Sequence, residues 1–293
     1  MSADNPSLPV VPANIVGKRD NRCRIGKAAE ALRLSQDEVR MIRETSGRIV
    51  CPPTRRRDGV WASGTLVSED VVCTAAHTFI TDKGKRFKPL SSCWFETQGT
   101  RPQRLALDFS KDGETFLIPK FDPDAIGRFA IDRSCVRLKR RLKQVLPPVI
   151  ATPGEALHRA SPLISVSARQ LDLRKAAKGC RSSKEPIVQA CALRLHSKGV
   201  LRNNSLIFGD CDLSPGGSGG PVYARVEGEL VLVGMNIAAG KPRADFKPFN
   251  FTFFGDNAFS ASIAVAFDAD FTADLKKLGA TGVRIWSEPG PTQ

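Results

Sequence analysis

The chain has 293 residues, 41% of them hydrophobic and 25% charged, which suffices for one large or two small packed domains and excludes wholesale disorder. Gly 24 and Pro 20 exclude collagen-like and low-complexity classes, and the longest uncharged run, the 13 residues from Asn5 to Gly17, is too short to span a bilayer. With 44 Lys+Arg against 30 Asp+Glu the formal charge is +14, which favours anionic surroundings such as nucleic acid, acidic polymers or acidic substrates.

Residues 1–23 carry scattered Pro and Asn and are expected to be loose. Met1–Pro6 have no basic start and no continuous apolar run. No signal peptide is read there, and a secreted or periplasmic location is expected only if this is not the precursor start. From about 27 to 46 the pattern is helical. Ala28, Ala29, Ala31 and Leu32 lead to a break near Leu34. Ser35 and Glu38 then read as a capping box. Val39, Met41 and Ile42 lay down an apolar stripe, and Gly47 is expected to end the helix. Residues 1–47 are thus expected to be a partly helical N-terminal extension packed on the main body.

After Gly47 the texture changes to short apolar runs between turn residues, such as Arg48–Cys51, Val71–Ala75, Cys135–Leu138, Leu230–Ile237 and Ala261–Phe267. This spacing predicts an all-β sandwich or a pair of barrels. Pro147–Pro153 interrupts the runs midway and divides the body into 48–150 and 151–293. A final helix is expected at about 269–278, stopped by Gly279.

The basic clusters Arg55–Arg57 and Arg137–Lys143 are not interleaved with aromatics, and the chain has one Tyr. They read as solvated basic surface, so nucleic acid is not an expected partner, while the net charge leaves an anionic surface as a candidate. The cysteines at 23, 51, 73, 93, 135, 180, 191 and 211 are even in number and permit disulfides. None has CxxC spacing, so no structural zinc is expected. Cys180 and Cys191 are a candidate pair closing one loop, although connectivity cannot be read from spacing.

Three segments carry chemistry. In Val71–His77 an apolar strand ends in small residues that permit a tight turn and give the His77 imidazole room to face a cleft. In Phe129–Leu138 an acidic residue, Asp132, precedes an alternating strand. In Asp210–Val222 one serine, Ser218, is flanked by glycines on both sides and followed at once by an apolar strand. A nucleophilic serine needs backbone N–H groups aimed at the carbonyl oxygen it attacks, and glycine permits the φ values and close approach this requires.

Together these segments resemble the chymotrypsin/trypsin-like serine peptidases of bacterial type. Thr74-Ala75-Ala76-His77 resembles the family's TAAH motif, and Gly216-Gly217-Ser218-Gly219-Gly220-Pro221 its GDSGGP motif. The order His, Asp, Ser, with gaps of 55 and 86 residues, is the family's order and differs from those of subtilisins and α/β-hydrolases. The resemblance spans roughly residues 48–285. It implies two six-stranded antiparallel β-barrels with a cleft between them, and a catalytic triad of His77, Asp132 and Ser218. It also implies an oxyanion hole from the N–H groups of Gly216 and Ser218, with no metal or other cofactor. A protein or peptide is then the expected substrate.

The sequence departs from the family at three places. Gly217 replaces the Asp that pairs with a newly cut N terminus, so that activation switch is expected to be absent. Thr78 replaces the cysteine beside the histidine. Ile237 falls where the family often has a serine bonded to the catalytic Asp, which leaves the support of Asp132 open. The resemblance places Asp212, six residues before Ser218, at the floor of the substrate pocket, which implies selection of Arg or Lys before the cleaved bond. Ile237, Ala238 and Ala239 are expected to line that pocket, their small neighbours leaving it open to a bulky side chain. Two other classes compete with a serine endopeptidase: a catalytically silent relative that binds peptide through the old cleft, and a basic module that binds anionic polymers.

Overall fold

The computed structural model describes residues 20–53, 59–80, 85–98, 102–120, 131–152, 162–168, 176–181, 184–191, 206–209, 211–213, 216–240 and 261–286. Residues 1–19 and the Arg55–Arg57 cluster lie outside them.

The N-terminal stretch forms strand β1 (Cys23–Arg24), helix α1 (Ile25–Ala28) and helix α2 (Gln36–Thr45). The expected capping box is present. The Ser35 hydroxyl accepts from Glu38 N and the Glu38 carboxylate accepts from Ser35 N, satisfying two N–H groups at opposite sides of the helix start. Met41, Ile42 and Thr45 are its buried face. Gly47 does not end this helix. Thr45 is its last residue, and the chain passes directly into strand β2 (Ser46–Cys51). Gly47 lies inside that strand because Phe95 crosses over it: a Cβ there would sit 2.3 Å from the Phe95 ring.

β2 pairs with β3 (Val60–Leu66) and β5 (Trp94–Thr97). With β4 (Val71–Thr74), β6 (Arg104–Ala106), β7 (Phe116–Leu117) and β8 (Ser134–Arg137) they make a seven-stranded antiparallel sheet in the order β6-β5-β2-β3-β4-β8-β7. An antiparallel bridge between Leu107 and Leu138 closes this sheet on itself. Ile49, Leu66, Val72, Phe79, Phe95 and Leu107 fill its interior, each fully buried large side chain stabilising it by about 1.5–3 kcal/mol.

The second sheet holds six longer strands: β10 (Leu163–Ser167), β11 (Ile187–Cys191), β12 (Leu206–Gly209), β13 (Pro221–Val226), β14 (Glu229–Gly240) and β15 (Ala261–Ala266). Its main path is β1-β11-β10-β13-β14-β15-β12. β9 (Val149–Ile150) joins β14 in parallel, and β16 (Arg284–Ile285) joins β9 in the same sense. The all-β architecture therefore matches the expectation, with short two-residue strands added to the six longer ones. Helix α3 (Ala269–Lys277) follows β15, capped by Asp268, which accepts from Phe271 N, and ended by Gly279 at φ +59°.

A second apolar cluster joins the two sheets. It brings Val71, Cys73 and Cys135 of the first together with Ile164, Tyr223, Leu232 and Val265 of the second, and includes Ile25 and Ile42 of the N-terminal helices and Phe271 and Leu275 of α3. The expected N-terminal extension is thus built into the body: β1 adds an edge strand to the second sheet and α2 packs under both. Burial pushes the Tyr223 phenol far above its ordinary pKa.

All eight cysteines are paired, as Cys23–Cys180, Cys51–Cys93, Cys73–Cys135 and Cys191–Cys211. The candidate pair Cys180–Cys191 is not formed. Cys180 faces the N-terminal strand, 157 residues away in sequence, because β1 docks beside β11. Among the described residues no helix is long and apolar enough to cross a membrane.

Candidate functional site

β4 is buried along its whole length and delivers the chain into a short 3₁₀ turn, Ala76–Phe79. Ala75 and Ala76 have no exposed surface, so larger residues would not fit where the chain bends. His77 leaves this turn with 41% of its side chain exposed. β8 pairs with β4 through Thr74↔Ser134 and Cys73↔Cys135, the latter pair also a disulfide. That register brings Asp132, two residues before β8, beside His77.

The contact has two points. Asp132 Oδ1 accepts from His77 N at 2.9 Å, and Asp132 Oδ2 lies 2.7 Å from His77 Nδ1. A carboxylate only accepts, so Nδ1 carries the proton and Nε2 presents a lone pair. Asp132 itself is 2% exposed. Desolvation pulls the His77 pKa down, but the charge and hydrogen bond of Asp132 more than offset it and hold the imidazole above its ordinary range.

The Asp132 carboxylate is held by His77, and the segment that carries it is anchored through the neighbouring Arg133. Ile237 is buried and has no hydroxyl to offer. Arg133 Nη1 donates to Asp268 at 2.8 Å, and its guanidinium stands over the Phe271 ring. The cap of α3 thus anchors the segment carrying Asp132. Sequence reading missed this link, although an Asp just before the expected helix is an N-cap signal.

Ser218 sits in the tight turn before β13. Gly216 and Gly219 have φ of +91° and +84°, values that L side chains rarely adopt. A Cβ on Gly219 would lie 2.2 Å from Ser63 O and from Thr74 Oγ1, and one on Gly220 2.1 Å from Val166 O. The glycine frame is therefore required both by backbone conformation and by the closeness of β3, β4 and β10. Gly219 N donates to Asn236 O and Asn236 N donates to Gly220 O, tying the turn to β14. Thr74 lies three residues before His77, so these contacts set the Ser218 turn against the histidine strand. The Ser218 hydroxyl donates to Ile237 O at 3.3 Å. Among the described residues no hydrogen bond joins it to His77.

Asp212 is 1% exposed, and its Oδ2 accepts from Asn21 N at 2.9 Å. Gln189 of β11 holds its backbone from both sides, donating to Asp212 O and accepting from Asp212 N, and Cys191–Cys211 ties the same two segments. Sequence reading did not anticipate Asn21 or Gln189, which only the folded chain brings to Asp212. Ile237 falls at an irregularity in the β14–β15 register, between Asn236 and Ala238, while Ala238 and Ala239 pair with Ile263 and Ser262. The side chains of Ala238 and Ala239 lie outside the description, as do Ser214 and Pro215.

No protein-family model and no curated protein matches this sequence. The solved structure of a Glu endopeptidase in complex with MPD superposes on it with a TM-score of 0.57 at 11% sequence identity, covering 89% of this chain and 98% of that chain. At such identity the likeness speaks for the fold alone, and the fold is a chymotrypsin-like double β-barrel.

Proposed function

We propose that the chain is a serine endopeptidase that works through His77, Asp132 and Ser218. The observation that carries this reading is the two-point grip of Asp132 on His77, set against a glycine-framed serine. An imidazole fixed at Nδ1 by a buried carboxylate is oriented to act as a base through Nε2. For reaction the Ser218 hydroxyl turns from Ile237 O toward Nε2. Apo sites often tighten in this way only when substrate binds.

Ser218 Oγ then bonds to the peptide carbonyl carbon as its proton passes to His77. The carbonyl electron pair moves onto oxygen, where the N–H groups of Gly216 and Ser218 stabilise it. The C–N bond breaks, and His77 gives its proton to the leaving amine. Water, deprotonated by His77, hydrolyses the acyl-enzyme and restores Ser218.

The position of Asp212 before Ser218, together with its burial, supports a charge-selecting pocket floor that favours Arg or Lys. The pairing of all eight cysteines supports an oxidising compartment, outside the cell or in a periplasm. The net charge of +14 supports concentration of the enzyme on an anionic surface.

The bond from Ser218 to Ile237 O favours a second reading, a silent relative that keeps the cleft for binding. Intact-mass analysis after treatment with a fluorophosphonate separates the two. A single adduct on the native chain and none on Ser218→Ala is the expected result. A folded native chain that takes no adduct supports the silent reading.

A further inference from the structure

We propose that Ser63, on β3 of the first barrel, is the residue that positions the oxyanion hole of the second. The inference rests on the peptidase reading above. The two N–H groups assigned to the hole belong to Gly216 and Ser218, and the carbonyls of both residues are tied to Ser63. Its hydroxyl donates to Gly216 O at 2.7 Å, and its main-chain N donates to Ser218 O at 2.8 Å. The same hydroxyl accepts from Ala168 N at 3.1 Å, which orients its single proton toward Gly216.

Ser63 is itself immobile. It is fully buried, pairs with Arg48 in the β2–β3 ladder, and its carbonyl accepts from Thr74 Oγ1 at 2.8 Å. Ala168, at the end of β10, is in turn held through its carbonyl by Gln98 Nε2 of the first barrel.

Gly216 is the residue most in need of such a hold. It has no side chain, sits at φ +91°, and is followed by a second glycine, so little intrinsic preference fixes its peptide planes. The bond to Gly216 O fixes the Gly216–Gly217 peptide and with it the Gly216 Cα from which the adjoining oxyanion N–H extends, so losing it lets that donor drift without unfolding anything. The Ser218 half of the hole depends on the Ser63 backbone, which mutation leaves in place. The Gly216 half depends on the hydroxyl, which mutation can remove. Ser63 touches no reacting atom, so it is a positioning residue whose signature lies in the transition state rather than in substrate binding.

The test is Ser63→Ala in the full-length chain. Turnover should fall about 10- to 100-fold with KM unchanged, below the roughly 10²- to 10³-fold cost of losing an oxyanion donor outright. A peptide aldehyde, whose adduct with Ser218 places an oxyanion in the hole, should lose affinity by the same factor. The corresponding peptide acid, which forms no tetrahedral adduct, should keep its affinity.

An unchanged kcat, a loss appearing in KM, or equal weakening of both inhibitors overturns the inference. If Ser63→Ala does not fold, Ser63→Cys, which keeps a weaker donor in similar volume, should show a smaller fall in kcat at constant KM, and an unchanged kcat there refutes it equally. A native chain that neither turns over substrate nor takes a fluorophosphonate adduct overturns the peptidase reading, and this inference with it. A native chain that is active and insensitive at Ser63 overturns the inference alone.

Discussion

Asp132→Asn is the sharpest perturbation of the site, because the geometry dictates how the new amide must sit. Asp132 Oδ1 receives the main-chain N–H of His77, a donor that cannot move. The asparagine must therefore keep its oxygen there and turn its NH₂ toward Nδ1. Two donors cannot face each other, so His77 shifts its proton to Nε2, the atom that must accept from Ser218. The side chain stays isosteric and buried, and the fold is retained. The expected loss in kcat is about 10⁴-fold, or about 5.4 kcal/mol of transition-state stabilisation.

A second consequence follows from charge. In the native site burial lowers the His77 pKa and Asp132 more than restores it. The base is active only when neutral, so the acid limb of kcat/KM should have its midpoint above the ordinary histidine range. Removing the charge leaves desolvation unopposed, and the midpoint should move to lower pH. A kcat/KM profile on a chromogenic peptide, with the rate of fluorophosphonate labelling measured in parallel, reads both effects. A loss below tenfold, or an acid limb that does not move, would refute this account of how Asp132 acts.

Three further changes probe other parts of the structure. Gly219→Ala should destabilise by about 2–5 kcal/mol, combining a positive φ with a Cβ driven against Ser63 and Thr74, and should lower the Tm by at least about 5 °C; a wild-type melting curve would show that the turn can yield. Burial alone would raise the Asp70 pKa, but hydrogen bonds from Thr281 and Ser68 and the charge of Arg137 hold it below its ordinary value. Its contribution is therefore present above its unfolded pKa and lost as pH falls through the folded one. Asp70→Asn should cost about 1–3 kcal/mol at pH 7 and little in strong acid, and a penalty in urea melts that does not shrink on acidification would contradict this. Asp212→Ser should erase any preference for Arg or Lys across a peptide library, and an unchanged profile would show that the pocket is selected elsewhere.

The parts of the protein legible in advance are those whose cause lies within a few residues. Ser35 and Glu38 cap α2 because they are three positions apart, and Asp268 and Gly279 bound α3 for equally local reasons. The alternation of apolar residues foretells strands because side chains alternate along any extended chain. Gly216 and Gly219 were readable because a backbone at positive φ selects glycine whatever surrounds it. Gly47 misled for a related reason: a glycine demanded by a crossing aromatic ring looks, in sequence, like one demanded by a helix end.

Local chemistry by itself thus determined that the chain is mostly β and where α2 and α3 begin, and the motif resemblance singled out His77, Asp132 and Ser218. Only the tertiary structure decided which of these meet. It placed Asp132 on two atoms of His77 through the β4–β8 register, paired Cys180 with Cys23 rather than Cys191, and joined the N-terminal strand to Asp212. It also hung the Ser218 turn from Ser63, more than 150 residues earlier in the chain. These contacts are set by strand order and register across two sheets. No residue carries a local mark of a partner that chain topology alone brings near.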